Sequence, residues 1–219
     1  NDSSIRFTGY KNAFEFENSN TIWGGGSTKA EYVDLTTKQI VNPKNKLLHQ
    51  RINSIHKSNG KLFFGTHGNG VVIKDGETIQ QLSIQNGRVR KYINKIVSKN
   101  NGPVWFMGSE GVSKLVSSNS GYETNEYTLL DLKCEKINDV YPDSNYLYLA
   151  TNNGIRRIKG GMQIAKKALP RLYLKAVEVG DSIINSSTII LNYNQNNFAI
   201  RFDAVSYENE PVVFRYRLN

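Results

Sequence analysis

The chain has 219 residues, of which 38% are hydrophobic and 11% aromatic, and this composition excludes an intrinsically disordered chain. Its 28 lysines and arginines stand against 19 acidic residues, and the net charge of +9 allows an anionic partner. The basic residues occur only in short clusters. No apolar run approaches the ~20 residues that a transmembrane helix needs, so no membrane span is predicted within this chain.

In chain order, the first predicted elements are four similar segments rich in glycine and large apolar residues. They are NTIWGGG (20–26), NGKLFFGTHGNGV (59–71), NGPVWFMGSEGV (101–112) and NYLYLATNNGI (145–155). The motifs RINSI, YINKI and KINDV precede the last three segments, and their residues Asn53, Asn94 and Asn138 are spaced by 41 and 44. Thr66, Ser109 and Thr151 are spaced by 43 and 42. A period near 42 built from short strands predicts the blades of a β-propeller.

Each unit predicts four strands. An inner strand such as INSIH leads through an Asn-Gly turn, which favours a tight hairpin, to the strand KLFFGT. The strands VVIKDG and TIQQLSI (78–84) follow. Continuous apolar runs such as LFF fit strands buried on both faces by neighbouring blades. We expect Gly65, Gly108 and Ala150 to be small because the chain bends there. The loop GTHGNG lacks the following helix and the Lys-Ser/Thr of a phosphate-binding loop, so its glycines are interpreted as turn residues.

The domain prediction is therefore an all-β chain in two parts. Residues 1–168 form four β-propeller blades, to which Phe7–Tyr10 add part of a neighbouring blade. Residues 169–219 form the first part of an Ig-like β-sandwich, in which the alternating FAIRFD segment is a strand and Val213–Leu218 its partner. The single cysteine, Cys134, excludes an intrachain disulfide, and we predict that it is a small buried core residue.

The repeated pattern Ile-Asn-x-Ile, a turn, and then aromatic-x-Gly-Thr-x-x-Gly-Val/Ile resembles the two-component regulator propeller repeat over about Phe14 to Lys167. The segments YNQNNFAIRFDAVSY and FRYRL resemble the triple-tyrosine domain, an Ig-like sandwich. The resemblance implies the periplasmic, ligand-sensing region of a Bacteroidetes-type histidine kinase or hybrid two-component system. It also implies dimerisation in the full-length protein, membrane attachment only through a segment outside this chain, and kinase activity in another domain.

Because the chain begins at Asn1 and has fewer blades than is usual in the family, we expect it to be a portion of a longer protein. The candidate ligand-binding residues precede the inner strands, at one mouth of the predicted central channel. Such a ring of cationic and aromatic groups fits an acidic oligosaccharide or another small ligand, although polar turns alone also explain it. The candidates are His49, Arg51, Arg90, Tyr92, Lys133 and Lys136.

No other chemistry is predicted from the sequence. His49, His56 and His67 lack companions at metal-ligand spacing, no nucleophile elbow or triad can be assigned, and no cofactor is expected. Nucleic-acid-binding signatures are absent. The alternatives to a sensor are a polysaccharide-acting propeller enzyme, either a lyase or a hydrolase, and a protein-interaction scaffold.

Overall fold

The computed structural model describes residues 7–82, 84–86, 90–100, 102–118, 121–143, 145–159, 171–180, 182–184, 192–193 and 197–205. The chain divides into two compact units, Asn1–Ile164 and Ala165–Asn219, and the predicted domain boundary at 168 lies outside the described residues. Over the described ranges the chain is all-β, as predicted, and contains one short 3-10 helix, Lys46–Leu48. None of the helical structure found there has the length and apolar character needed to cross a bilayer.

The strands of the first unit form four successive sheets, called sheets 1 to 4 here, in which all pairings but one are antiparallel. Each sheet is built mainly from strands that are consecutive in the chain. Sheet 1 contains β1 (Lys11–Asn18), β2 (Thr21–Gly26), β3 (Ala30–Asp34) and β4 (Gln39–Val41). Sheet 2 contains β5 (Ile52–Ser58), β6 (Lys61–Thr66), β7 (Val71–Asp75) and β8 (Thr78–Gln81). Sheet 3 contains β9 (Ile84–Asn86), β10 (Lys95–Val97), β11 (Trp105–Gly108), β12 (Gly111–Ser118) and β13 (Gly121–Thr128). Sheet 4 contains β14 (Ile137–Pro142), β15 (Tyr146–Thr151) and β16 (Gly154–Lys159).

The inner strands of the four sheets are β1, β5, β10 and β14, because these strands lie next to one another. β1 contacts β5, β5 contacts β10, and β10 contacts β14. A stack of sheets joined through such strands is the blade arrangement of a propeller. One prediction is wrong here, since TIQQLSI is not a single strand. β8 ends at Gln81, and β9 crosses to sheet 3, where it pairs in parallel with β13.

The hydrophobic core lies between consecutive sheets rather than within any one of them. Phe64 packs in the cluster between sheets 1 and 2 with Trp23 and Ile52. Its neighbour Phe63 points the other way and packs with Ile93 between sheets 2 and 3. Adjacent side chains on a strand alternate in direction, so a strand covered on both faces needs a continuous apolar run, as predicted. The third cluster joins sheets 3 and 4.

Cys134 is buried in that third cluster, which confirms its prediction as a core residue. The predicted Asn-Gly hairpin turn is confirmed as well. Asn59 and Gly60 have φ values of 49° and 75°, and the flanking residues Ser58 and Lys61 pair with each other. Positive φ at both central residues is the requirement of a type I′ turn, and Asn-Gly meets it at low cost.

The explanation predicted for Gly65 is wrong, because close approach of the next sheet, rather than bending, requires a glycine there. A Cβ atom on Gly65 would lie 2.6 Å from Ile93 Cγ2, and one on Gly25 would lie 2.6 Å from Ile52 Cγ2. Gly65 also has no positive φ, so its backbone does not need glycine. The first isoleucine of each of these two Ile-Asn motifs therefore packs directly on a glycine of the preceding sheet.

The sequence analysis treated Gly108 as equivalent to Gly65, and the strand register shows that it is not. Met107 takes that position in sheet 3, and Gly108 lies one residue further along. For the same reason Ser109 is not equivalent to Thr66. The four equivalent residues, each with its partner on the inner strand, are Gly25 (Ala13), Gly65 (Ser54), Met107 (Lys95) and Ala150 (Asp139).

Phe7–Tyr10 do not form the predicted strand of a neighbouring blade, and Phe7 and Thr8 contact sheet 1 instead. The Phe7 ring lies over Gly24, and the Thr8 backbone N–H donates to Glu31 Oε1 at 2.7 Å. Glu31 is fully buried and its carboxylate also lies 2.9 Å from Lys11 Nζ. Burial alone would raise the pKa of Glu31, but the hydrogen bonds from Thr8 and Lys11 lower this pKa to about 2.

The second unit contains one described sheet with the order β18-β17-β19. Its strands are β17 (Arg171–Val179), β18 (Ser182–Ile184) and β19 (Phe198–Val205). The strand predicted for the FAIRFD segment is confirmed by β19, whose partner is β17. The predicted partner Val213–Leu218 lies outside the described residues, and the sandwich stays a prediction.

Candidate functional site

Three of the predicted ligand-binding residues occupy equivalent positions on successive sheets. Arg51, Tyr92 and Lys136 each come directly before the isoleucine that opens the Ile-Asn motif, and all three are exposed. The backbone carbonyl of Arg51 accepts a hydrogen bond from His67 N at 3.0 Å, and that of Lys136 accepts one from Asn152 N at 3.4 Å. The structure therefore places these residues at the same end of their sheets. We call this set, together with Tyr10, the rim.

Tyr10 is a rim residue that the sequence analysis missed. The amide of Asn12 donates to Ile52 O at 3.2 Å, just as the amide of Asn53 donates to Ile93 O at 3.0 Å. Asn12 is thus the first member of the asparagine series, and Tyr10 precedes it as Arg51 precedes Asn53. Tyr10 is 91% exposed. The spacing of 41 residues from Tyr10 to Arg51 could have revealed it.

These asparagine contacts also explain the recurrence of the residue. Each of the two amides satisfies a backbone carbonyl next to the following inner strand. This agrees with the interpretation that a strand-start asparagine serves the backbone rather than a ligand.

The glycine-rich loop after β6 holds the segment that leads to Tyr92. The N–H groups of Gly68 and Gly70 both donate to Lys91 O, at 2.9 and 3.0 Å. The ring of His67 meets that of Tyr92 edge-on, with centroids 4.9 Å apart. Because two backbone N–H groups of the loop are used to bind the Lys91 carbonyl, the loop forms a turn that holds the segment before β10. It does not form a phosphate-binding loop.

Arg90 is not a rim residue, so its predicted placement at the mouth of the channel is wrong, and ligand binding by Arg90 stays an untested prediction. Its side chain is buried within sheet 3, where Nε donates to Ser113 Oγ at 3.3 Å. Its guanidinium lies 3.5 Å from Glu110 and 3.7 Å from Glu126. A buried guanidinium needs such partners, so Arg90 has a structural role.

His49 and Lys133 also lie outside the rim. His49 follows the 3-10 helix, and its Nε2 is hydrogen-bonded to Pro43 O at 2.8 Å. Lys133 lies in a turn with φ of 47°, closed by a hydrogen bond from its N–H to Leu130 O. Neither residue occupies the position equivalent to Arg51, so the predicted group of six is reduced to three.

A second polar group follows the inner strands further along. His56 Nε2 lies 2.7 Å from Ser98 Oγ, and its Nδ1 lies 3.9 Å from Glu15 Oε2, which is too far for a hydrogen bond. Burial lowers the pKa of His56, and the nearby Glu15 carboxylate offsets part of this effect. These contacts join successive sheets. Among the side chains that the structure describes, no cluster of three or more His, Cys, Asp or Glu could hold a metal ion.

The four stacked sheets, with cores between them and inner strands side by side, define the first unit as a set of β-propeller blades. No protein-family model matches the chain, and no curated protein matches it.

Solved structures do resemble it. The extracellular domain of BT3049, described as a hybrid two component system of B. thetaiotaomicron, matches 88% of this chain with a TM-score of 0.56 and 20% identity. This chain spans only 29% of that protein chain. The computationally designed protein Ika4 matches with a TM-score of 0.51 and 13% identity, over 73% of this chain and 96% of its own. At these identities the likeness establishes the fold.

Proposed function

We propose that this chain belongs to the extracytoplasmic, ligand-sensing region of a two-component regulator. Two independent observations support this proposal. The repeat pattern resembles the two-component regulator propeller, and the fold is similar to the extracellular domain of a protein described as a hybrid two component system. The kinase, the membrane span and further blades would then lie outside this chain.

The observation that supports ligand binding is the rim, where exposed cationic and aromatic residues alternate on four successive sheets. Tyr10 and Tyr92 offer ring faces, while Arg51 and Lys136 offer positive charge. Sheets packed face to face are separated by about 10 Å, so one ligand that contacts two neighbouring rim residues must be extended. An acidic oligosaccharide meets both requirements, because its sugar rings stack on tyrosine and its carboxylates pair with arginine and lysine.

The mechanism requires no covalent chemistry. A ligand that contacts several blades at once favours one relative arrangement of those blades, and it shifts an equilibrium only by its difference in affinity between the two states. Moving a population from 1:99 to 99:1 needs about 5.5 kcal/mol. Each hydrogen bond to a charged group contributes about 1.5–3 kcal/mol, so a few rim contacts are sufficient. We propose that dimerisation of the full-length protein is the step that this shift controls.

Calorimetric titration with a galacturonate oligomer and with a neutral cello-oligosaccharide tests the proposal. We expect the acidic oligomer to bind and the double variant R51A/K136A to bind it at least about tenfold more weakly. The matched control K44A/K46A loses the same charge at positions near the 3-10 helix and should bind normally. Equal affinity of both double variants would overturn the rim as the binding site.

The same mixtures distinguish the sensor from its rivals. A lyase or hydrolase would generate new reducing ends from the oligomer, and a sensor leaves it intact. A protein-interaction scaffold would bind neither oligosaccharide.

A further inference from the structure

A cavity of about 530 Å³ lies between the first hairpins of sheets 3 and 4. These hairpins are at the end of the inner strands opposite to the rim, because the rim precedes each inner strand and the hairpin follows it. The volume falls within the range of small-molecule sites. Its main lining residues are Lys99, Trp105, Lys114, Asp143, Tyr146 and Lys159.

Three lysines and one aspartate are among the residues that line the cavity. Lys99 Nζ lies 2.5 Å from Asp143 Oδ1, and the hydrogen bond from Lys99 to Asp143 raises the pKa of Lys99. This ion pair connects the two hairpins. Lys159 adds a further positive charge to the lining, and so does Lys114, which also interacts with other residues of the chain. The ammonium group of Lys159 makes the cavity suited to an anion.

In sheet 1 the position that corresponds to this cavity, beside the tryptophan of the second strand, is occupied by the carboxylate of Glu17. Trp23 Nε1 donates to Glu17 Oε2 at 2.7 Å. The other oxygen of Glu17 pairs with Lys74 of sheet 2. A carboxylate between an indole N–H and an ammonium group is therefore part of the interface between sheets 1 and 2.

Sheet 3 has the same tryptophan, but a lysine stands where sheet 1 has Glu17. Trp23 pairs with Glu15 of β1, and Trp105 pairs with Val97 of β10. Glu15 and Val97 occupy the same position on their inner strands, so the two tryptophans are equivalent. Two residues beyond these partners, sheet 1 has Glu17 and sheet 3 has Lys99. Within the described part of the chain, the indole N–H of Trp105 makes no hydrogen bond with the protein, whereas that of Trp23 does.

We propose that this cavity binds a small organic carboxylate. The carboxylate group accepts a hydrogen bond from the indole N–H of Trp105 and pairs with the ammonium group of Lys159, and Lys114 lines the same cavity. It thereby takes the part that Glu17 plays beside Trp23. This site differs from the rim in location and in ligand, and it does not depend on the function proposed for the rim.

Tryptophan fluorescence tests the proposal, because the chain has two tryptophans and the variant W23F leaves Trp105 as the reporter. Sodium D-glucuronate is the probe, and D-glucose is its neutral counterpart. We expect a saturable change of emission with glucuronate and none with glucose. In this background K114A/K159A should weaken glucuronate binding at least about tenfold, with an unchanged circular dichroism spectrum.

Two control variants separate this site from general electrostatics and from the rim. K44A/K46A removes the same charge elsewhere, and R51A/K136A alters only the rim, so both should bind glucuronate as the W23F parent does. Three results would overturn the proposal. They are no saturation with glucuronate, equal binding by K114A/K159A and K44A/K46A, and sulfate binding as tight as that of glucuronate, which would show a general anion site.

Discussion

The contact between Gly65 and Ile93 predicts a specific energetic coupling between sheets 2 and 3. In the variant G65A the new methyl group would lie 2.6 Å from Ile93 Cγ2 and 3.1 Å from its Cβ. Ile93 is fully buried in the cluster between the two sheets, where close packing leaves it little room to move. Overpacking of this kind costs about 1–3 kcal/mol. We therefore expect G65A to lower the free energy of unfolding by that amount.

The partner variant I93A removes the Cγ2 atom that causes the clash. By itself it should cost about 2–5 kcal/mol, because it leaves a cavity in the core. In the double variant G65A/I93A the methyl group added at position 65 enters that cavity instead of clashing. The cost of the double variant should then be at least about 1 kcal/mol smaller than the sum of the two single costs.

Urea unfolding followed by circular dichroism measures the three variants against the parent protein, with similar m values as the condition for comparison. Combining G65A with L147A, a core change in sheet 4, gives a control in which the costs should add within about 0.5 kcal/mol. If glycine were needed for a bend in the chain, G65A would cost the same whatever residue stands at 93. Additivity in G65A/I93A would therefore refute the packing explanation.

Three further predictions concern single side chains. N53A removes the hydrogen bond to Ile93 O and should cost about 1–3 kcal/mol in urea unfolding; a parent-like midpoint would show that the contact is not stabilising. The pKa of Glu31 is about 2 instead of 4.5, so about 3 kcal/mol of stability that is present above pH 5 should be lost as the pH falls toward 2. E31Q should lack this dependence, and an unchanged pH profile in E31Q would contradict it. R90A should lose about 1–3 kcal/mol of stability, because it removes the donor to the buried hydroxyl of Ser113, yet its folded form should bind the galacturonate oligomer as the parent does; a loss of affinity without loss of stability would return Arg90 to the rim.

The period of the sequence was sufficient to predict the sheets and part of the rim. Runs such as Phe63-Phe64 indicate strands covered on both faces, and the spacing of Arg51, Tyr92 and Lys136 places them at one end of their sheets. Tyr10 was missed because Lys11 replaces the isoleucine of the motif.

Other features depend on partners that are distant in sequence. The charge partners of Arg90 are Glu110 and Glu126, which come close to it only after sheet 3 has formed. The need for Gly65 comes from the following sheet, and a bend within the strand would give the same local pattern. Only Leu82 and Ser83 separate β8 from β9, and neither is a glycine or proline, so no local signal separates the two strands. The paired tryptophans, Trp23 and Trp105, become comparable only when the register is known.

Isoleucine packs on glycine both between sheets 1 and 2 and between sheets 2 and 3, so removal of one repeat can leave an equivalent contact at the new interface. Loss of the sheet 2 repeat would bring Ile93 onto Gly25, and loss of the sheet 3 repeat would bring Ile137 onto Gly65, which recreates the same kind of contact in both cases. A gene that duplicates the sheet 2 repeat, or deletes the sheet 2 or sheet 3 repeat, therefore yields a protein whose new junction again places isoleucine on glycine. Blade number can in this way change between descendants of one ancestor without any compensating substitution at the junction.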